Sequence, residues 1–131
     1  MVLPLILLLA AAVITVLFVA WKLSRRRRVS QNDRQKIALE WSHALSLPAP
    51  EAKILEADKV LDHVMSALGA EGSFADKLRN LGPRLKNPQL LWDAHKLRNR
   101  IAHETGVRVD RKEVERALRS FEEAMHAFLR S

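Results

Sequence analysis

The chain has 131 residues, 48% of them apolar by type, with 22 lysines and arginines against 15 aspartates and glutamates and a formal net charge of +7. It has no cysteine, which excludes a disulfide framework and a thiolate zinc site. A chain of this length holds one small domain and an appendage, not two domains with separate cores.

Val2 to Trp21 carries no charge and is dominated by Leu, Val, Ile and Ala. Twenty residues at helical rise span about 30 Å, the thickness of a bilayer core. Pro4 lies near the start, where a missing N–H costs little. Trp21 is placed for the headgroup region, and Lys22 with Arg25, Arg26, Arg27 and Arg28 supplies a positive-inside signal. The expected arrangement is a single-pass cell-membrane anchor over 1–28, its N-terminus outside, with residues 29–131 in the cytoplasm. The four arginines are expected to touch anionic lipid. A cleaved secretory signal fits less well, because the run is long, lacks a basic leading segment and has no small-x-small site.

From residue 29 onwards there are 17 basic and 15 acidic side chains, a balance of only +2, so the basicity belongs mostly to the arginine cluster. What remains is uneven. Residues 74–104 hold seven basic and three acidic groups, whereas 29–73 hold four and seven.

The segment after the anchor is patterned for helices throughout. Asn32 or Asp33 is positioned to cap a first helix with the stripe Ile37, Trp41, Ala44 and Leu45, ending before Pro48-Ala49-Pro50. Glu51 opens a second, with Ile54, Ala57, Leu61, Val64 and Leu68 on one side and Gly69 as its stop. Ser73 with Asp76 has the form of a capping box before Phe74, Leu78, Leu81 and Leu85, in an element that Gly82-Pro83 should cut short. Asn87-Pro88 starts the next helix, and Gly106 ends it. Asp110 with Glu113 caps a last helix bearing Val114, Ala117, Leu118, Phe121, Met125 and Phe128. The expected fold is all-α, an up-and-down bundle of four main helices and one shorter one.

The helix after Pro88 carries the most unusual side chains. Leu90, Ala94, Leu97 and Ile101 recur at helical spacing as a core stripe, leaving Trp92, His95, Asn99 and His103 on the opposite face and Arg98 at its flank. An aromatic, two imidazoles and an amide are a poor choice for a merely solvated surface. A metal site is not expected, since His95 and His103 lie two turns, about 12 Å, apart and no carboxylate joins either at i+4. No nucleotide loop, serine elbow or carboxylate pair is legible, and no cofactor is expected. Arg98 has an alternative structural partner in Asp58 or Asp62 on the second of these helices, and His103 an alternative role at its helix terminus.

The string Arg98-Asn99-Arg100-Ile101-Ala102-His103 resembles the R-x4-H motif of HEPN domains, small helical bundles found among toxin-type and defence ribonucleases. More broadly, Glu56 to Asp62 together with Leu91 to Glu104 resembles a family of uncharacterised small bacterial helical proteins, often held by one amino-terminal membrane segment, which brings no established activity. The HEPN resemblance implies a four- to five-helix bundle acting as a homodimer and, in its active members, metal-independent RNA cleavage. Carried over, it implies catalytic roles for Arg98, Asn99 and His103. Trp92, His95, Lys96 and Arg100 are the accompanying candidates for binding RNA. The competing expectation is a catalytically silent interaction or scaffold module with the same fold at the inner membrane face.

Overall fold

The computed structural model describes residues 1–24 and 27–130, so Arg25 and Arg26 of the arginine cluster lie outside the described residues. Among the described residues there is no strand. Six α-helices follow one another: α1 (Leu3–Ser24), α2 (Gln31–Ser46), α3 (Pro50–Ala67), α4 (Phe74–Leu81), α5 (Pro88–His103) and α6 (Arg111–Arg130), with a 3-10 turn, Gly82–Arg84, after α4.

α1 contains a stretch, Leu3–Lys22, long and apolar enough to cross a membrane. It has no core-facing stripe, and its large apolar side chains are exposed all round, among them Leu5, Leu8, Ile14, Leu17 and Phe18. The other helices share one core. The sequence stripes of α2, α3, α4 and α6 supply most of it: Ile37, Trp41, Ala44, Ile54, Leu61, Val64, Leu78, Phe121 and Phe128 are all buried, whereas Leu45, expected in the α2 stripe, lies in the last turn of that helix and is 40% exposed.

α3 is the central element, packed against α2, α4, α5 and α6. Each of the long helices α2, α3, α5 and α6 runs antiparallel to the next, so α3 and α6 pack side by side in parallel. Arg34, in the first turn of α2, donates through Nη2 to the carbonyl of Leu129 near the end of α6. At the far end, Trp41 and Leu45 of α2 lie beside Glu115 and Leu118 of α6. The last residues before α2 are part of this core: Val29 is buried, and Arg34 Nε donates to its carbonyl at 3.3 Å.

The local signals acted largely as their chemistry dictates. Ser73 and Asp76 form a reciprocal capping box at α4, and Asn87 accepts from the Gln89 N–H with Pro88 at the first position of α5. Gly69 closes α3 with φ of +89°, a conformation other residues rarely adopt, and its C-terminal carbonyls are met by the N–H groups of Gly69 and Ala70.

Three further expectations are corrected. Ser30, not Asn32 or Asp33, caps α2, its hydroxyl accepting from the Asp33 N–H. Glu113, expected to reach back to Asp110, accepts instead from Arg100 Nη1 at 2.7 Å. The buried line of α5 is Leu91, Ala94 and Leu97, whereas Leu90 is 39% exposed and Ile101 half-buried. α5 is wedged between α3 and α6 and covered by α4, so its buried sector is turned toward α3 and takes part of the polar face inside.

Candidate functional site

The first residue of α4, Phe74, is held by the capping box at the edge of α3, and from there it covers α5. Its ring stacks on the His95 imidazole, centroids 3.9 Å apart and planes 2° from parallel. Trp92, half-buried one turn earlier, meets the same imidazole edge-on at 6.3 Å. His95 is therefore not a solvated residue: its side chain is only 13% exposed.

Asp58 of α3, buried by the packing of α3 on α5, faces this ring. Its Oδ1 lies 2.7 Å from His95 Nδ1. An ionised carboxylate only accepts, so Nδ1 carries the proton in this pair, and in the neutral ring Nε2 is the acceptor nitrogen. Nε2 has no protein partner among the described residues. An imidazole held in this way either locks two helices together or moves a proton at Nε2.

Arg98, one turn further along α5, approaches the second oxygen of the same carboxylate, Nε lying 3.5 Å from Oδ2. This is ion-pair range without hydrogen-bond geometry, and the buried Nε–H has no other acceptor. Arg98 Nη1 donates to Asn99 Oδ1 at 3.0 Å. The guanidinium is thus steered from two sides while its Nη2 remains without a protein partner among the described residues.

These groups line an open groove of about 400 Å³ between α3, the start of α4 and α5, whose charged lining is Asp58, Asp62, Lys59 and Arg98, with His95 and Asn99. Its formal charges cancel. Lys77, buried, pairs with Asp62 at 2.8 Å, and Lys59 pairs with Glu56 at 2.6 Å, so adding these two neighbours leaves the balance unchanged. The positive balance of residues 74–104 is therefore not concentrated here.

The other sequence candidates fall elsewhere. His103 is the last residue of α5, exposed, and has no hydrogen bond or ion pair among the described residues. Five residues separate it from Arg98, about 140° around the helix and 7.5 Å along it, so the two do not converge in one copy. Arg100 pairs with Glu113 of α6, and exposed Lys96 lies 4.0 Å from Asp93. The structure thus brings together Arg98, Asn99, His95 and Trp92, and leaves out His103, Lys96 and Arg100. No cluster of three or more metal-ligating side chains occurs among the described residues.

Sequence reasoning named Asp58 as a partner for Arg98 but missed its shorter contact with His95 and the Phe74 stack. The 37-residue separation of Asp58 and His95 leaves no local pattern. The one usable signal was the buried phase of α3, which places Asp58 beside Ala57 and Leu61. Comparison of the chain with protein-family models, curated proteins and solved structures found no match.

Proposed function

We propose that this chain is a membrane-anchored, HEPN-like helical domain that binds RNA through α5 and, as a homodimer, cleaves it without a metal. α1 is the anchor. Left in water, each of its exposed Leu, Ile, Val and Phe side chains forfeits about 1.5–3 kcal/mol of burial, and lipid removes that cost. Lys22 and the arginines that follow, by the positive-inside rule, support a cytoplasmic position for the bundle at the cell membrane.

The observation that carries the RNA reading is the state of Arg98: fixed by Asp58 and Asn99, yet with guanidinium N–H groups left to fork onto a phosphate. His103, exposed and unpaired, would take the proton of a ribose 2′-hydroxyl. The 2′-oxygen attacks phosphorus, the bond to the 5′-oxygen breaks, and that oxygen takes up a proton, leaving a cyclic phosphate and a 5′-hydroxyl. Arg98 stabilises the charge on the phosphorane oxygens. The 140° between Arg98 and His103 requires a second copy to bring a histidine to the arginine's phosphate.

A silent interaction module is the second reading, favoured by the cancelled charge of the groove. Incubation of the full chain, in detergent, with single-stranded RNA and chelator separates the two. Cleavage that persists with chelator and is lost in His103→Ala supports the nuclease; equal background with both proteins overturns it.

A further inference from the structure

We propose that the end of the bundle nearest α1 is a second membrane contact, in which Lys86 and Arg130, with Arg84, Arg27 and Arg28, rest on anionic lipid headgroups. This goes beyond the arginine cluster by assigning lipid binding to the folded bundle, and it rests on α1 being inserted in a bilayer.

The tether is the first argument. Ser24 ends α1, and Val29 is already buried in the core, with its carbonyl held by Arg34 and that same arginine bonded to Leu129. Five residue steps from Ser24 to Val29 reach at most about 18 Å. The chain therefore joins the bundle at the end where α2 begins and α6 finishes, and that end cannot move far from the membrane. Arg27 lies against it, its side chain 3.1 Å from where a Cβ on Gly69 would stand at the close of α3.

Charge is the second argument. A groove between α5 and α6, about 410 Å³, opens at this end and is lined by Arg84, Lys86 and Arg130, with Glu123 its one acidic side chain. Leu85, Leu90 and Ala127 give it an apolar floor and lip, and Leu90 is the large apolar side chain of α5 that the core leaves out. Lys86 and Arg130 are exposed, as are Arg27 and Arg28. Acidic side chains towards this end include Asp33 in the first turn of α2, Glu71 and Asp76 around the turn after α3, and Glu123 in the groove. Cations feel the attraction of an anionic leaflet only within about a Debye length of the surface, about 8 Å at physiological salt.

Geometry also separates this contact from the α5 site. Pro88 and His103 are about 22 Å apart along the helix, so docking at the Lys86 end lifts His103 away from the lipid.

The absence of cysteine makes the test direct. The full chain carrying Leu90→Cys or Thr105→Cys, labelled with bimane, is reconstituted into phosphatidylcholine vesicles with or without phosphatidylserine and a headgroup-nitroxide lipid. The Leu90 label is expected to be quenched several-fold more with phosphatidylserine, an effect removed by salt and by Lys86→Glu/Arg130→Glu, while the Thr105 label stays unquenched. Both reversals lie on exposed side chains, and circular dichroism checks that the helices persist. Equal quenching at the two positions, or indifference to phosphatidylserine and to charge reversal, overturns the proposal. So does a reversal that weakens RNA binding and leaves quenching unchanged. Vesicle flotation after a carbonate wash tells the failures apart: a chain that floats but shows no lipid-dependent quenching overturns this contact alone, and a chain that does not float overturns the anchor with it.

Discussion

Asp58 Oδ1 on α3 and His95 Nδ1 on α5 lie 2.7 Å apart in an interior where the carboxylate is almost fully removed from water. The same carboxylate faces Arg98, so one acid organises the two α5 side chains that define the groove. Removing it strands both. A hydrogen bond to a charged group contributes about 1.5–3 kcal/mol, and Arg98 adds less because it is partly solvated. Asp58→Ala should lower stability by about 2 kcal/mol, which for a bundle of about 100 residues is a fall in Tm of roughly 10 °C. Asp58→Asn keeps an acceptor oxygen for Nδ1 and should lose about half as much. Thermal melts followed by circular dichroism check both, and a Tm unchanged in Asp58→Ala would show that the pair holds nothing.

The register of α5 gives a second prediction. Leu90 and Leu91 are the same residue type in adjacent positions, but Leu91 is 1% exposed and Leu90 39%. Leu91→Ala should cost about 2–5 kcal/mol through lost burial and the cavity left behind. Leu90→Ala should stay within about 0.5 kcal/mol, as for a surface change. Denaturant melts of the two variants, compared at equal slope, measure the difference, and the reverse order would restore the stripe beginning at Leu90.

That one-residue difference marks how far the sequence was legible. Helices α3, α4 and α6 could be read because most apolar residues fall on one face, and α2 could be read apart from Leu45, which is exposed like Leu39. The turn signals at Ser73, Asn87 and Gly69 are local chemistry and acted where they stood. In α5, Leu90 and Leu91 offer two phases, and the choice depends on Phe74 and Asp58, which are close only after folding. The same long-range packing hides the groove: no spacing rule links Asp58 to His95, and no local signal says that α4 will cover an imidazole. Arg98 and Asn99 were legible as adjacent polar residues on an unusual face. Their common partner was one of two acids, and the fold chose Asp58.

Acid should loosen the cap of α4 only at low pH. The Asp76 carboxyl sits below its ordinary value of 3.8, chiefly because the Ser73 hydroxyl hydrogen-bonds to it, then because the Ser73 N–H does, with Arg79 nearby. A carboxyl lowered in the folded state contributes stability that is fully present above the unfolded value and is lost as pH falls through the folded one. The capping box should therefore hold at pH 5 and loosen only at pH below 3.8. Ser73→Ala removes the largest cause, so the Asp76 carboxyl should titrate closer to 3.8. Carboxyl carbon shifts followed by NMR across pH 2 to 6 test this, and identical titration in both proteins would overturn it.

The two ends of the R-x4-H string should behave differently when removed, and this makes the proposed chemistry testable apart from the fold. His103 is exposed, with no partner among the described residues, so His103→Ala should change stability by no more than about 0.5 kcal/mol. If it moves the proton in cleavage, the same substitution should slow turnover by roughly 10²–10⁴-fold. Arg98 is tied to Asp58 and Asn99, and Arg98→Ala should lose both cleavage and Tm, because it leaves the Asp58 carboxylate with His95 alone. Arg98→Lys keeps the charge but not the fork, so it should recover most of the Tm and little of the rate. Parallel melts and single-turnover cleavage of the three variants decide the matter. A His103→Ala protein that folds, binds RNA and cleaves at the rate of the parent would leave α5 as a binding surface, with Asp58, His95 and Arg98 as its internal brace.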